Sequence, residues 1–413
     1  MNSILPLLAG LTVAANLLHA GTPQPLNESF LTTLRAEAAR THPSATAAKH
    51  QAEAASQNVR GIRLWDDPMV GLGFMAAEPK MRQDQGDIMI GIGQNLPKPG
   101  LFAAQRNQAA AIQRATEQSS RTAPLTAAAE AARNAIELAL ADESITLQQT
   151  QINWLAAMAE NARQKAADPT GTGSDALRME TELAREQQLL DAARRNRDAF
   201  AQQLNLTLGR PLESAWPTLQ LPATPPPVPV ATAEISRIPY VNPKVRAMKE
   251  MAGAAKAGTR IADRDRLPQM AVGIDSRIYS GGDLRSTTLG ISMSLPWFND
   301  PSYQARIHAA KDLEAAATQD VETARREIAA MVLTAATEAA NAAAQARAYA
   351  GEIHDKALQA RQSIEAAWIS SKAPLTDLLD ASRTLFAIDL EQRRMIAMQL
   401  AALEELQTLV PHR

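Results

Sequence analysis

The chain has 413 residues, and its formal net charge of −2 at pH 7 argues against a nucleic-acid-binding protein. It contains no cysteine, which excludes disulfides, thiolate metal sites and cysteine nucleophiles within this sequence. Only 4% of the residues are aromatic although 46% are hydrophobic, so the composition favours helices that pack closely through alanine.

Residues 1–20 form an apolar segment that ends in the small residues Ala20 and Gly21. The length of this segment is typical of a secretory signal peptide and is short for a membrane-spanning helix. No lysine or arginine precedes the apolar run, which departs from the usual pattern. The sequence still predicts a signal peptide at residues 1–20, and no later stretch approaches the roughly 18 consecutive apolar residues of a membrane helix.

Two helices are predicted before the first strand. One covers Leu26 to Arg40, and the next begins at His42-Pro43 and runs to about Leu64. Its counterpart in the second half of the chain begins at Asn242-Pro243, where asparagine suits the N-cap and proline suits the first turn.

Residues 67–97 predict a β-hairpin, because apolar side chains alternate with small or polar ones in two runs. A charged loop, Ala77 to Gly86, joins the two runs. Residues 267–296 repeat this pattern around the loop Ser280 to Arg285. Each run has about 10 residues, the length at which a tilted β-strand crosses a bilayer. The predicted lipid-facing positions are Val70, Leu72, Phe74, Ile88, Ile90, Ile92, Val272, Ile274, Leu289, Ile291 and Met293.

The opposite strand face is rich in glycine and carries two charges, Asp275 and Arg277, which are the candidate lumen residues. Unpaired strand edges are costly in hydrocarbon, so four spanning strands predict an oligomer. Two chains would supply about 8 strands and a filled interior, whereas three would supply about 12 and leave room for water. The small inward residues favour a symmetric trimer. The alternative is a soluble sheet attached to a helical body.

Long helices are predicted from Leu101 to Leu208, with breaks near Leu140 to Ser144 and at Asp168 to Ser174. The second break contains Asp-Pro and two glycines. In the second half, helices are predicted over about 302–343 and 349–409, with an interruption at Ser370 to Pro374 that mirrors the break at Asp168 to Ser174.

The two halves repeat each other at a spacing of about 200 residues. We therefore divide the chain into a first repeat, 21–209, a proline-rich linker, 210–231, and a second repeat, 232–413. The first repeat holds the hairpin 67–97 and helices 101–208, and the second holds the hairpin 267–296 and helices 302–409. The matching residues include Pro43 with Pro243, Pro68 with Pro268, Gly73 with Gly273, Pro97 with Pro296, and Arg106 with Arg306.

This repeated plan of helix, hairpin and long helical hairpin resembles the TolC family of outer-membrane efflux proteins. The likeness covers nearly the whole chain after residue 20. The stretches that carry it are Asp66-Asp67-Pro68, Gln94-Asn95-Leu96-Pro97, Asn242-Pro243, Ser294-Leu295-Pro296 and Asp377-Leu378-Leu379-Asp380-Ala381. In addition, Lys98-Pro99-Gly100 is similar to a turn in relatives that export heavy-metal cations.

The resemblance implies a mainly α fold with a membrane β-barrel portion. A homotrimer would complete a barrel of about 12 strands in the outer membrane, above a long α-helical tunnel in the periplasm. It also implies three kinds of partner: outer-membrane lipid, a periplasmic membrane-fusion adaptor and an inner-membrane pump of the RND type.

By the same resemblance, the tunnel closes at the turns between paired long helices, which we place near Leu138 to Glu143 and near Asn341 to Arg347. Asp142 and Glu143 are then candidate entrance residues that favour cations, and Arg133 and Arg347 are candidate partners that hold the tip shut. The alternative is that these are solvated surface charges.

No enzyme constellation stands out. The histidines are scattered without metal-site spacing, and the two Gly-x-Gly segments lie inside strands rather than at a strand-to-helix turn. Methionines near the first hairpin offer thioethers to soft cations, or else fill apolar gaps; they are Met69, Met75, Met81 and Met89. The sequence thus predicts no enzyme, no cofactor and no resident metal.

The predicted function is a passive outer-membrane exit duct of a tripartite efflux system, with heavy-metal cations as a candidate cargo. Two alternatives stay open. One is a soluble periplasmic coiled-coil scaffold or adaptor, and the other is a TolC-like duct for drugs or for type I secretion.

Overall fold

The computed structural model describes residues 23–75, 87–167, 173–228, 237–279 and 282–409. The predicted signal peptide and the first hairpin loop, Ala77 to Gly86, lie outside these ranges. Helices dominate the described chain, and two β-hairpins lie within it, so the predicted mainly α architecture with paired hairpins is confirmed.

The elements are numbered in chain order. The helices are α1 (Glu28–Thr41), α2 (Pro43–Gly61), α3 (Leu101–Ser120), α4 (Thr122–Ala166), α5 (Ser174–Leu208), α6 (Ile238–Val241), α7 (Pro243–Asp265), α8 (Asp300–Ala348), α9 (His354–Ile369) and α10 (Leu375–Leu409). The strands are β1 (Gln24–Pro25), β2 (Met69–Met75), β3 (Asp87–Asn95), β4 (Leu219–Gln220), β5 (Met270–Tyr279) and β6 (Leu284–Met293). A 3-10 turn covers Pro296–Asn299, and a π-helical turn covers Tyr349–Ile353. Among the described residues, every helix lacks the long uncharged apolar run that a membrane span requires.

Helices α2 and α7 begin in the same way, as their sequence match predicts. The side chain of His42 accepts a hydrogen bond from the backbone N–H of Ser44 at 3.3 Å, and Asn242 accepts one from Lys244 at 2.9 Å. Proline is the first helical residue in both. Each cap satisfies one of the backbone N–H donors that the start of a helix leaves unpaired. Both helices are therefore capped by a side chain and begin with proline.

The predicted break near Leu140 to Ser144 is wrong. Helix α4 continues without interruption for 45 residues, or about 68 Å at 1.5 Å per residue. The Ser144 hydroxyl donates to the carbonyl of Leu140 at 2.8 Å, one turn back. Small and acidic residues lower helix propensity by less than about 1 kcal/mol each, so tertiary contacts easily outweigh them.

The chain divides into two compact units. The first unit contains residues 131–227 and 340–401, together with the N-terminal segment that ends at Leu34. One hydrophobic cluster in this unit is formed by side chains from α4, α5, α9 and α10, including Leu155, Met179, Trp368 and Leu378. Alanines at 131, 132, 135 and 139 are fully buried along α4, which confirms packing through small side chains.

The start of the linker is held against the first unit. Asn205 donates to the carbonyl oxygens of Leu212 at 3.0 Å and Ser214 at 2.8 Å, and it accepts a hydrogen bond from the indole of Trp216 at 2.8 Å. Beyond these residues, β4 pairs in parallel with β1. These hydrogen bonds therefore hold this part of the linker in a fixed position against the first unit.

The second unit contains residues 35–130, 228–339 and the end of α10 from residue 402. Its helical cluster includes Ile238, Val245, Ile328, Val332 and Leu406. An ion pair joins α1 to the end of α10, in which Arg35 Nε donates to Glu404 Oε2 at 2.9 Å and Nη2 donates to Oε1. This unit also carries the four-stranded sheet formed by the two hairpins.

Candidate functional site

The two hairpins form one antiparallel sheet with the order β2-β3-β5-β6. The pairing between β3 and β5 joins residues that are between 176 and 192 positions apart in the sequence. It places equivalent strands of the two repeats in one surface, so the hairpins act as a single structural element.

One face of the sheet is apolar across its full width. A row of side chains crosses the four strands through Val70, Ile92, Ile274 and Leu289. Of the predicted lipid-facing positions, all except the half-buried Val272 are exposed, from 39% for Ile90 to 78% for Leu72. A contiguous exposed apolar face of this kind marks a contact surface.

A second row on this face runs from Ile90 on β3 to the hydroxyl residues Ser276 on β5 and Thr287 on the edge strand β6. Their oxygens lie 3.2 Å apart, so one hydroxyl donates to the other. The two polar groups therefore satisfy each other within the apolar surface.

The opposite face is built from small residues. Gly93, Gly273 and Gly290 are neighbours across three strands, and the next row contains Gly71, Gly91 and Asp275. A side-chain carbon at Gly91 would lie 2.1 Å from Asp275 Oδ1. The Asp275 carboxylate thus lies directly over Gly91, in space that only glycine leaves open.

The predicted lumen residues Asp275 and Arg277 both lie on this small-residue face, and both are exposed. The register between β5 and β6 shifts just after Arg277, which indicates a bulge at that point. The described methionines Met69, Met75 and Met89 belong to the same face, with the Met89 methyl close above Gly73, whereas Met81 lies outside the described residues.

Within the described chain, β2 and β6 are the two edges of the sheet. Their outer backbone groups require a partner wherever water is excluded. One chain therefore supplies an open segment of sheet, with an apolar face, a small polar face and two edges that remain to be paired.

Residues 236–411 match the outer membrane efflux protein family. The match lies in the second repeat and covers less than half of the chain. No curated protein matches the chain.

Solved outer-membrane channel structures share the fold of this chain over almost its whole length. The outer-membrane channel OprN is 16% identical with a TM-score of 0.80, and the match covers 93% of this chain and 90% of that one. A structure of CusC is 14% identical with a TM-score of 0.79, covering 95% and 97%. The outer membrane protein VceC from Vibrio cholerae is 15% identical with a TM-score of 0.76, covering 92% and 96%. The first repeat thus shares the fold of these solved structures as well.

The structure places the candidate tip residues in a different setting from the one that the efflux-family resemblance suggested. Asp142 and Glu143 lie in the middle of α4 rather than at a turn, and residues 341–347 are helical. Helix α4 ends instead at Ala166 with α5 beginning at Ser174, and α9 ends at Ile369 with α10 beginning at Leu375. The expected turns near Leu138 to Glu143 and Asn341 to Arg347 are therefore wrong.

The acids also have other partners than the expected arginines. Arg197 Nε lies 2.9 Å from Asp142 Oδ1, and Arg393 Nε lies 3.6 Å from Glu143 Oε2. Arg133 and Arg347 are exposed. Sequence reasoning missed Arg197 and Arg393 because the helix turn was placed too early in α4. Whether the four predicted residues take part in a gate stays a prediction.

Asp142 has a structural role in these contacts. Its second oxygen accepts the backbone N–H of Leu219 at 2.8 Å, and Arg197 also donates to the carbonyl oxygen of Trp216 at 3.0 Å. The pair is buried, with 5% of the Asp142 side chain and 20% of the Arg197 side chain exposed. It fixes the linker strand β4 to α4 and α5. Among the described residues, no group of three or more histidine or carboxylate side chains is arranged to hold a metal.

Proposed function

We propose that this chain is one subunit of a passive exit duct in the outer membrane. The observation that carries the proposal is the four-stranded sheet with its exposed apolar face, small-residue face and two open edges. Three copies would close a barrel of about 12 strands, with the apolar face toward lipid and the glycine-rich face toward water.

The duct itself performs no chemistry. In this proposal, substrate passes from an inner-membrane pump of the RND type through a periplasmic adaptor to the helical tunnel of this chain, and then through the barrel. Transport energy comes from the pump, and the chain contributes a pore wall. Asp275 and Arg277 then lie in the lumen as the charges that influence which ions pass.

The duct is tested by cell fractionation and electrophoresis of the full chain. We expect an oligomer in the outer-membrane fraction that resists detergent when unheated and becomes a monomer on boiling. The detergent-purified oligomer should form conducting pores in planar bilayers. A product that stays monomeric in buffer without detergent would contradict the proposal and favour a soluble periplasmic scaffold.

We propose heavy-metal cations as the cargo, on the resemblance of Lys98-Pro99-Gly100 to relatives that export them. The contacts of this turn are structural, because Lys98 Nζ donates to Asp265 Oδ1 at 2.9 Å and Gly100 has a φ of 77° before α3. The cargo proposal therefore rests on the resemblance. Deleting the gene should increase sensitivity to copper, silver, zinc or cobalt. A deletion strain that became more sensitive to drugs but not to metals would contradict this proposal and would indicate drugs as the cargo.

A further inference from the structure

A π-helical turn interrupts the long helical run between α8 and α9. It covers Tyr349–Ile353, and Gly351 within it has φ −103° and ψ −121°, outside the helical region. Turns of this type are rare in proteins. Those that do occur are often found at helix kinks and at functional sites. The interruption has no role in the fold described above, and it lies within the first unit.

His354 follows this turn directly as the first residue of α9 and lies between two carboxylates. Its Nε2 is 3.4 Å from Asp389 Oδ1 on α10, and its Nδ1 is 3.4 Å from Asp355 Oδ1. The Asp389 side chain is 27% exposed, whereas Asp355 is 69% exposed. Solvent and salt therefore screen the contact with Asp389 less than the contact with Asp355, and the contact with Asp389 joins two helices.

The other charges near this contact are permanent cations and their partners. Arg361 on α9 and Arg393 on α10 act on Asp389, and Arg393 also reaches Glu143 on α4 at 3.6 Å. Lys356 pairs with Glu352 on the exposed side of the turn. Arginine keeps its positive charge at all ordinary pH values, whereas histidine is the residue type that acts as a switch near physiological pH.

We propose that His354 and Asp389 form a pH-dependent latch that fixes the π-helical turn by tying the start of α9 to α10. The latch is closed when the imidazole is protonated and Asp389 is ionised. It opens as the pH rises and the imidazole loses its proton, because the ion pair across the two helices is then lost.

The environment of Asp389 sets the lower pH limit of the latch. Burial raises the pKa of this carboxyl above its usual value, while His354, Arg361 and Arg393 oppose the increase. A raised carboxyl pKa in the folded chain means that protonation favours the fold, and this contribution declines as the pH rises through that pKa. Protonated Asp389 cannot form the ion pair, so the latch also opens when the pH falls below the pKa of this carboxyl.

The test uses a spin label on the purified full chain, which contains no native cysteine. Ala350→Cys places a label on an exposed position of the π-helical turn, and Ala344→Cys places one on a regular turn of α8. Between pH 5.5 and pH 8.0, the spectrum at position 350 should shift toward the mobile component, while the spectrum at 344 should not change.

Three variants separate the latch from general effects of pH. His354→Gln should leave the label at 350 mobile at both pH values, and His354→Arg, which keeps a positive charge, should leave it immobile at both. His50→Gln removes an exposed histidine that pairs with Glu53 at 3.2 Å within α2, and it should leave the shift intact. No shift in the parent protein, or a full shift in His354→Gln, would overturn the latch. The label reports local order in purified protein, so this result is independent of whether the chain conducts.

Discussion

Asp142 on α4 and Arg197 on α5 form a buried ion pair at matching positions along the two helices. Asp142 lies 24 residues before the end of α4, and Arg197 lies 23 residues after the start of α5. Two antiparallel helices that leave one turn bring residues at equal distances from it side by side. The pair is therefore the contact expected if α4 and α5 run side by side in opposite directions.

Asp142→Ala should destabilise the protein by about 3–5 kcal/mol, because it leaves the Arg197 guanidinium buried without its carboxylate and leaves the N–H of Leu219 without an acceptor. Thermal unfolding followed by circular dichroism measures the loss. Asp191→Ala is the control, because Asp191 forms a half-exposed pair with Arg194 one turn along α5, worth about 0.3–0.5 kcal/mol. Equal effects of the two variants would contradict a buried pair at Asp142.

Trp368 is a second position where the structure predicts a large effect. Its side chain is 2% exposed in the core cluster of the first unit, and Lys165 Nζ lies 4.4 Å from its ring centroid. Trp368→Ala should cost about 3–5 kcal/mol in unfolding free energy. Its neighbour Ile369 is 49% exposed, and Ile369→Ala should change stability by less than about 0.5 kcal/mol. An unchanged unfolding midpoint for Trp368→Ala would place the indole outside the core.

The hairpins could be predicted from the sequence because their signal is local. Alternation with period two, bounded by proline and glycine, marked β2, β3, β5 and β6 and assigned Asp275 and Ile274 to opposite faces. The pairing of β3 with β5 could not be read in this way, since it depends on how distant segments meet. The position of Asp275 over Gly91 is a consequence of that pairing.

The long helices show the limit of local reasoning. The segment around Asp142 and Glu143 has the small and acidic residues that are typical of a helix break. Within α4, however, ion pairs with arginines on other helices stabilise both carboxylates. The predicted break at Asp168 to Ser174 lies largely outside the described residues, between the end of α4 at Ala166 and the start of α5 at Ser174. Counting equal distances from that break would have paired Asp142 with the region of Arg197.

The charges on the small-residue face should control ion preference if the proposed duct is correct. A unit charge about 4 Å from a passing ion in water contributes about 1 kcal/mol, or roughly a five-fold change in preference. Asp275→Asn should therefore shift the zero-current potential in a KCl gradient toward anions, and Arg277→Gln should shift it toward cations. Ser292→Ala, on the same face of β6 without a charge, is the control. Shifts no larger than that of the control would exclude Asp275 and Arg277 from the conducting path.

The orientation of the sheet can be tested on one strand. Ile291 and Thr288 both lie on β6 but on opposite faces, and Ile291 is 70% exposed in the single chain. If the apolar face meets hydrocarbon, Ile291→Lys should cost about 2–4 kcal/mol near the bilayer midplane. The yield of the heat-sensitive oligomer in the outer-membrane fraction should then fall sharply.

Thr288→Lys adds the same charge to the water-facing side and should leave that yield close to the parent value. Because the two variants share a strand, a charge and a side-chain length, the comparison isolates the face. Ile90→Lys on β3 should reproduce the effect of Ile291→Lys, since Ile90 belongs to the same apolar surface. Should Thr288→Lys block assembly while Ile291→Lys does not, the glycine-rich face must be the one in contact with lipid, and the lumen assignment of Asp275 and Arg277 would fail with it.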